Sequence, residues 1–174
     1  RIFVNNILII GEKRFFLESK NYKDTRISKI FFLYKLHYIR RPAFTMFFRS
    51  LYQFLWNFTV IGGIYKHYEY WMIPYILAEN PRISKKNAFF LSRQLSNHNK
   101  KKLLLLDLSF LGWKMLSLLS LGLVDFLYVN PYMATCKAEL YLTLRRNYVL
   151  SRSPGYEYLD DSYLEHIPSE DELL

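Results

Sequence analysis

Two apolar regions, residues 43–78 and 103–141, constrain this chain more than any other feature of it. A bilayer core of roughly 30 Å takes about 20 helical residues. Each region is about twice that length, so neither fits one upright span. Each also carries glycine near its middle: Gly62 and Gly63 in the first, Gly122 within LSLGLV in the second. Glycine accepts turn conformations that other residues resist. Both regions therefore read as helical hairpins, with spans at 43–61, 64–78, 103–119 and 123–141. The rival reading is a pair of long, tilted single spans.

The charges select between the two. Segment 11–42 holds nine basic and three acidic residues, and segment 79–102 holds seven basic residues and one acid. Arg145 and Arg146 follow the last expected span. With hairpins, all three basic blocks lie on the cytoplasmic side and the uncharged turns lie outside, as the positive-inside rule requires. With single spans, two blocks would face opposite sides. The mean hydropathy is only −0.04 although 51% of residues are hydrophobic, because apolar runs alternate with charged blocks. The expectation is an all-α polytopic transmembrane bundle: two helical hairpins plus a cytoplasmic amphipathic helix, in the cell membrane.

That amphipathic helix is expected within 82–102. Ser84 follows Pro81 as an N-cap. Ala88, Leu91 and Leu95 recur on one face, with Lys85, Lys86 and Arg93 away from it. Such a helix can lie on an anionic membrane surface or pack on its own protein. Residues 151–174 carry seven acids and one arginine and read as a flexible cytoplasmic tail, leaving 1–150 as the membrane domain. The chain begins at Arg1, and its short apolar run 2–10 reads as the end of a membrane helix, with further spans before it.

Eight ionisable side chains fall inside the expected spans: Arg49, Lys66, Glu69, Asp107, Lys114, Asp125, Lys137 and Glu139. Thr45, Arg49, Gln53 and Asn57 recur every fourth residue on one slowly drifting face. Asp125, Tyr128, Tyr132, Thr135, Cys136 and Glu139 form a second polar stripe. Lys66 and Glu69 can pair directly, and Asp107 and Lys114 share a face two turns apart. Charge in hydrocarbon is costly, so these residues form a candidate intramembrane polar face lining a path. The plainer readings are helix-to-helix glue and snorkelling near span ends. Pro74 should kink its span.

Other chemistries find no support in the sequence. There is no phosphate-binding glycine loop and no zinc-ligand spacing, no nucleophile elbow around any serine, and the four histidines are scattered. No enzyme, metal site or cofactor is expected. The net charge of +9 invites nucleic acid, but Lys100–Lys102 run straight into an apolar stretch, as a span boundary does. Cys136 is the only cysteine, so no internal disulfide forms.

WMIPYILAENP (71–81), the stretch around Ala88 and Leu91–Ser92, LDLSFLGWKML (106–116) and VNPYMATCKAELY (129–141) resemble, in that order, a bacterial integral-membrane family catalogued as domain of unknown function 975, seen mainly in Gram-positive bacteria. The resemblance covers roughly residues 45–145. It implies a multi-helix inner-membrane protein with more spans on the N-terminal side, and it implies no established activity. The chain departs from the family where relatives tend to have a Pro-Gly break, at Gly62–Gly63, and at Lys114, where relatives are often apolar. The expected partners are the lipid bilayer and a membrane protein or a second copy of the chain, with no nucleic acid. The first functional expectation is an accessory or interaction protein of a membrane complex. The alternatives are a transporter or channel-like module for a small solute or ion, and a soluble basic helical protein.

Overall fold

The computed structural model describes residues 2–21, 27–35, 39–97, 99–119, 122 and 124–160, and among them the chain is all-α, with no strand. The acidic stretch 161–174 and parts of the first basic segment lie outside the described residues. The elements are α1 (Ile2–Asn21), a 3₁₀ turn (Ile27–Phe31), α2 (Phe32–Lys35), α3 (Arg40–Asn57), α4 (Val60–Tyr70), α5 (Ile73–Glu79) and α6 (Lys85–Asn97). They continue with α7 (Lys100–Ser109), α8 (Leu111–Leu119), a π turn (Asp125–Val129), α9 (Asn130–Leu150) and α10 (Glu157–Asp160).

Helix α5 is the axis. All seven of its residues are buried, and α1, α3 and α6 pack around it. The core joins Ile7, Ile10 and Leu17 of α1 to Ile73, Ile76 and Leu77 of α5, Leu91 and Leu95 of α6, and Tyr141 and Leu144 of α9. A smaller cluster of Phe110, Val129 and Met133 holds the α7–α8 junction against the start of α9. The apolar run 2–10 joins this core through Ile7 and Ile10. It continues as one helix to Asn21, and the charged residues Arg14 and Glu18 within it are themselves buried.

The expected spans are recognisable, but each is divided or shifted. The first turn comes at Phe58–Thr59, ahead of the glycines, which sit in the opening turn of α4. A Cβ on Gly62 would stand 2.8 Å from the Trp56 ring, and one on Gly63 would stand 3.2 Å from the Asn57 Cα. These glycines thus let α4 close onto the end of α3, rather than forming the bend. The second span is not one kinked helix. It stops at Trp71–Met72, and Pro74 stands in the first turn of α5. The third is interrupted at Phe110, whose side chain turns inward. At the second expected hairpin, Gly122 does take a left-handed φ of +84°. Among the described residues, no helix is long and apolar enough to cross a membrane.

Helix α6 forms where its capping pattern predicts. The Asn87 backbone N–H donates to the Ser84 hydroxyl at 3.3 Å, and Ala88, Leu91 and Leu95 are all buried. Its apolar stripe is spent on the protein's own core, so packing on its own protein, not lying on a bilayer, is what that face does. The start of the acidic segment is also docked. Leu159 is fully buried, and the Asn80 amide donates to the Tyr158 carbonyl at 3.1 Å.

Candidate functional site

Proline at position 74 has no N–H, so the Tyr70 carbonyl four residues earlier loses its helical donor. Arg49, reaching across from α3, supplies a replacement: its Nε donates to the Tyr70 carbonyl at 3.0 Å. The neighbouring Glu69 carbonyl accepts from the Ser92 hydroxyl of α6 at 2.6 Å. The Glu69 carboxylate, almost wholly buried, pairs with Lys66 at 2.9 Å and with Arg93 at 2.8 Å. That carboxylate holds the Arg93 guanidinium above its ordinary range. Three helices therefore converge on the α4–α5 break, and side chains replace the backbone partners it lost.

Above the break a cleft of about 450 Å³ opens between α3 and α4, lined by Gln53, Asn57, Gly63, Ile64, His67 and Tyr68. The Gln53 amide donates to Asn57 Oδ1 at 2.9 Å and to the Gly63 carbonyl at 3.0 Å. Its own oxygen is buried and has no partner among the described residues. Asp107 of α7 pairs with Lys137 of α9 at 2.8 Å, and both lie within electrostatic reach of His67, as does Arg49. Arg49 and Gln53 of the polar stripe thus join α3 to α4, Asn57 lines the cleft, and Thr45 donates instead to the Arg41 carbonyl of its own helix at 3.0 Å.

The structure does not gather all the sequence-predicted residues here. Lys114 is exposed, and Asp107 turns to Lys137 instead of to it. Asp125 accepts from the Asn130 amide at 3.3 Å at the π turn. Tyr132 is exposed and stacks on Tyr128 with ring centres 5.9 Å apart. Glu139 is exposed as well. None of these four lines the cleft. Among the described residues, no group of three or more His, Cys, Asp or Glu side chains is placed to hold a metal ion.

A second polar centre was not anticipated. Glu79, at the end of α5, has no exposed surface. Its carboxylate accepts from the Tyr141 hydroxyl at 2.6 Å and pairs with Arg145. Arg145 also donates to the Leu159 carbonyl at 2.7 Å, tying down the C-terminal segment. Beside it, Arg14 pairs with Glu18 and donates to the Ala78 carbonyl at 3.0 Å. Two signals were available in the sequence: Tyr141 and Arg145, and Arg14 and Glu18, are each four apart on one helix face. Arg145 reads more simply as a basic flank, and α1 was not expected to reach the core.

Helices organised around one buried segment, with charges paired inside and aromatic and aliphatic side chains facing outward, define an all-α protein whose polar groups are used inward. The family described as protein of unknown function (DUF975) matches residues 44–148, and the chain belongs to it. No curated protein and no solved structure matches the chain.

Proposed function

We propose that this chain is the membrane-embedded part of a multi-pass protein that works by helix contacts with a partner complex in the cell membrane. One observation carries this reading: charges turn inward and large apolar side chains turn outward on the same helices. On α3, Arg49 and Gln53 face α4, while Phe44, Phe47, Leu51 and Phe54 are exposed. On α7 and α8, Asp107 faces Lys137, while Leu105, Leu108, Leu111 and Met115 are each more than half exposed. Water-soluble monomers rarely leave contiguous apolar surface of this extent uncovered. Hydrocarbon or apolar partner helices would cover it without penalty.

Interrupted pairs, α4 with α5 and α7 with α8, do the spanning. Breaks at membrane depth are tolerated where side chains satisfy the freed carbonyls, as Arg49 does for Tyr70. The basic segments and the acidic tail lie on the cytoplasmic side. The test is to express the full chain in bacteria and wash the membranes at high pH. Retention in the membrane, with crosslinking to one defined partner, is the expected result. Release into the aqueous phase, or purification without detergent, would favour the soluble basic protein and overturn the proposal.

The cleft supports a second reading, a transporter or channel-like module, because the buried Gln53 oxygen lacks a donor among the described residues and His67 of the same cleft lies within electrostatic reach of Asp107 and Lys137. Proton and potassium leak in proteoliposomes would then fall in Asp107→Asn while expression holds. Equal leak in the variant and the parent would count against it.

A further inference from the structure

Most charged side chains discussed so far meet an opposite charge. Lys66 and Arg93 meet Glu69, Lys137 meets Asp107, Arg145 meets Glu79, and Arg14 meets Glu18. Two cations at the entrance to α3 are held differently. The Lys85 ammonium sits 3.6 Å from the centre of the Phe48 ring and 5.5 Å from that of Phe44. Arg41 donates to the Arg82 carbonyl at 3.4 Å. Among the described residues, neither has an acidic side chain against it. Neutral partners orient both groups and leave their charge available.

The two flank a hollow of about 300 Å³ lined by Arg41, Phe44, Thr45, Ile83, Ser84 and Lys85. From this hollow an apolar stripe of exposed side chains runs along α3 and just past its end: Phe44, Leu51, Phe54 and Phe58. The positions recur at helical spacing on one face. At about 1.5 Å per residue the stripe extends about 21 Å, longer than the roughly 15 Å that one leaflet contributes to the hydrocarbon core. A polar, doubly cationic seat opening onto an apolar track matches an anionic amphiphile with its head at one end.

We infer that the Arg41–Lys85 hollow seats the phosphate headgroup of an anionic phospholipid, with an acyl chain lying along the Phe44–Phe58 face of α3. This rests on the membrane reading above and adds to it a chosen lipid and a place for it. Guanidinium and ammonium groups together favour phosphate over a zwitterionic head, whose own ammonium would meet Arg41 and Lys85 with like charge.

The experiment uses the full chain extracted in mild detergent, stripped of lipid, and offered equal amounts of phosphatidylglycerol and phosphatidylcholine. Retained lipid is counted by native mass spectrometry. Phosphatidylglycerol should be retained in preference. The Arg41→Gln/Lys85→Gln double variant should reduce that preference about ten-fold. Lys114→Gln, which changes an exposed cation elsewhere, should leave it intact, and Phe44→Ala should weaken retention of both lipids. Equal retention of the two lipids by the parent chain, or equal losses in the double variant and Lys114→Gln, overturns the inference while the membrane reading stands. A chain that needs no detergent overturns both. Circular dichroism of the double variant confirms that it folds.

Discussion

The protein treats charge in two ways, and the contrast follows the surroundings. Around α5, four cations are matched to carboxylates: Arg145 to Glu79, Arg14 to Glu18, Lys66 and Arg93 to Glu69. At the edge where α3 begins, Arg41 and Lys85 rest on a carbonyl and on aromatic rings. A buried carboxylate without a partner bears a desolvation penalty of several kcal/mol, so the buried carboxylates Glu18, Glu69 and Glu79 each have a cation against them. At the edge, a cation keeps access to solvent or to headgroups and needs only to be positioned. The core therefore spends its charges on holding helices together, whereas the edge positions Arg41 and Lys85 with neutral groups.

The sharpest way to break this comparison is to unmatch the core. Glu79→Ala removes the carboxylate between Tyr141 and Arg145 and leaves both without it. The expected loss is about 3–5 kcal/mol of unfolding free energy, measured by chemical denaturation in detergent. The C-terminal segment held by Arg145 should also become open to protease. A loss below about 1 kcal/mol would mean that the network does not organise the core. Next in size is Leu105→Asp, placed on the exposed face of α7. In hydrocarbon an aspartate at a helix centre costs about 2.5–3.5 kcal/mol, whereas an exposed position in water tolerates it within about 0.5 kcal/mol. Membrane insertion of the variant separates the two environments directly.

Periodicity carried the helical class, the α3–α4 hairpin and the capped amphipathic helix, because these depend on local spacing and on Ser84, Ala88, Leu91 and Leu95. It could not show that this apolar face meets the protein's own core, since a face toward lipid and a face toward α5 have the same pattern. Gly62 and Gly63 were legible as a break but not as a close approach, which exists only once Trp56 and Asn57 are placed beside them. Within the candidate site, the Lys66–Glu69 pair followed from spacing along one helix. Asp107–Lys137 and Glu79–Arg145 did not, because their partners lie 30 and 66 residues apart. Long-range pairing of charges is decided by packing, and a single sequence carries almost no record of it.

The α4–α5 break lies between the two regimes and permits a finer test. If Arg49 is there because Pro74 withholds an N–H from the Tyr70 carbonyl, then Arg49→Met should cost about 1–3 kcal/mol, the penalty for an unsatisfied buried acceptor. Pro74→Ala returns an N–H to the position from which a continuous helix would satisfy that carbonyl. In the Pro74→Ala background, the penalty for Arg49→Met should therefore shrink to less than half its value. A double-mutant cycle measures the difference, with residues in one network expected to couple by about 0.5–3 kcal/mol. Additive losses would mean that Arg49 serves its neighbours in the cleft and not the break.

Smallest of all should be Arg93→Gln. The Arg93 side chain is 63% exposed although it reaches the buried Glu69. Water screens such a pair, so the expected loss is about 0.2–1 kcal/mol, and Lys66 remains to hold the carboxylate. Lys66→Gln, in which the lost cation is only 15% exposed, should cost more than Arg93→Gln. Here the rule drawn from the two regions is tested within one ion cluster: the more deeply a charge is buried, the more its partner matters. If Arg93→Gln proves the more damaging of the two, burial does not set the rank, and Arg93 must hold α6 against α4 by more than its charge.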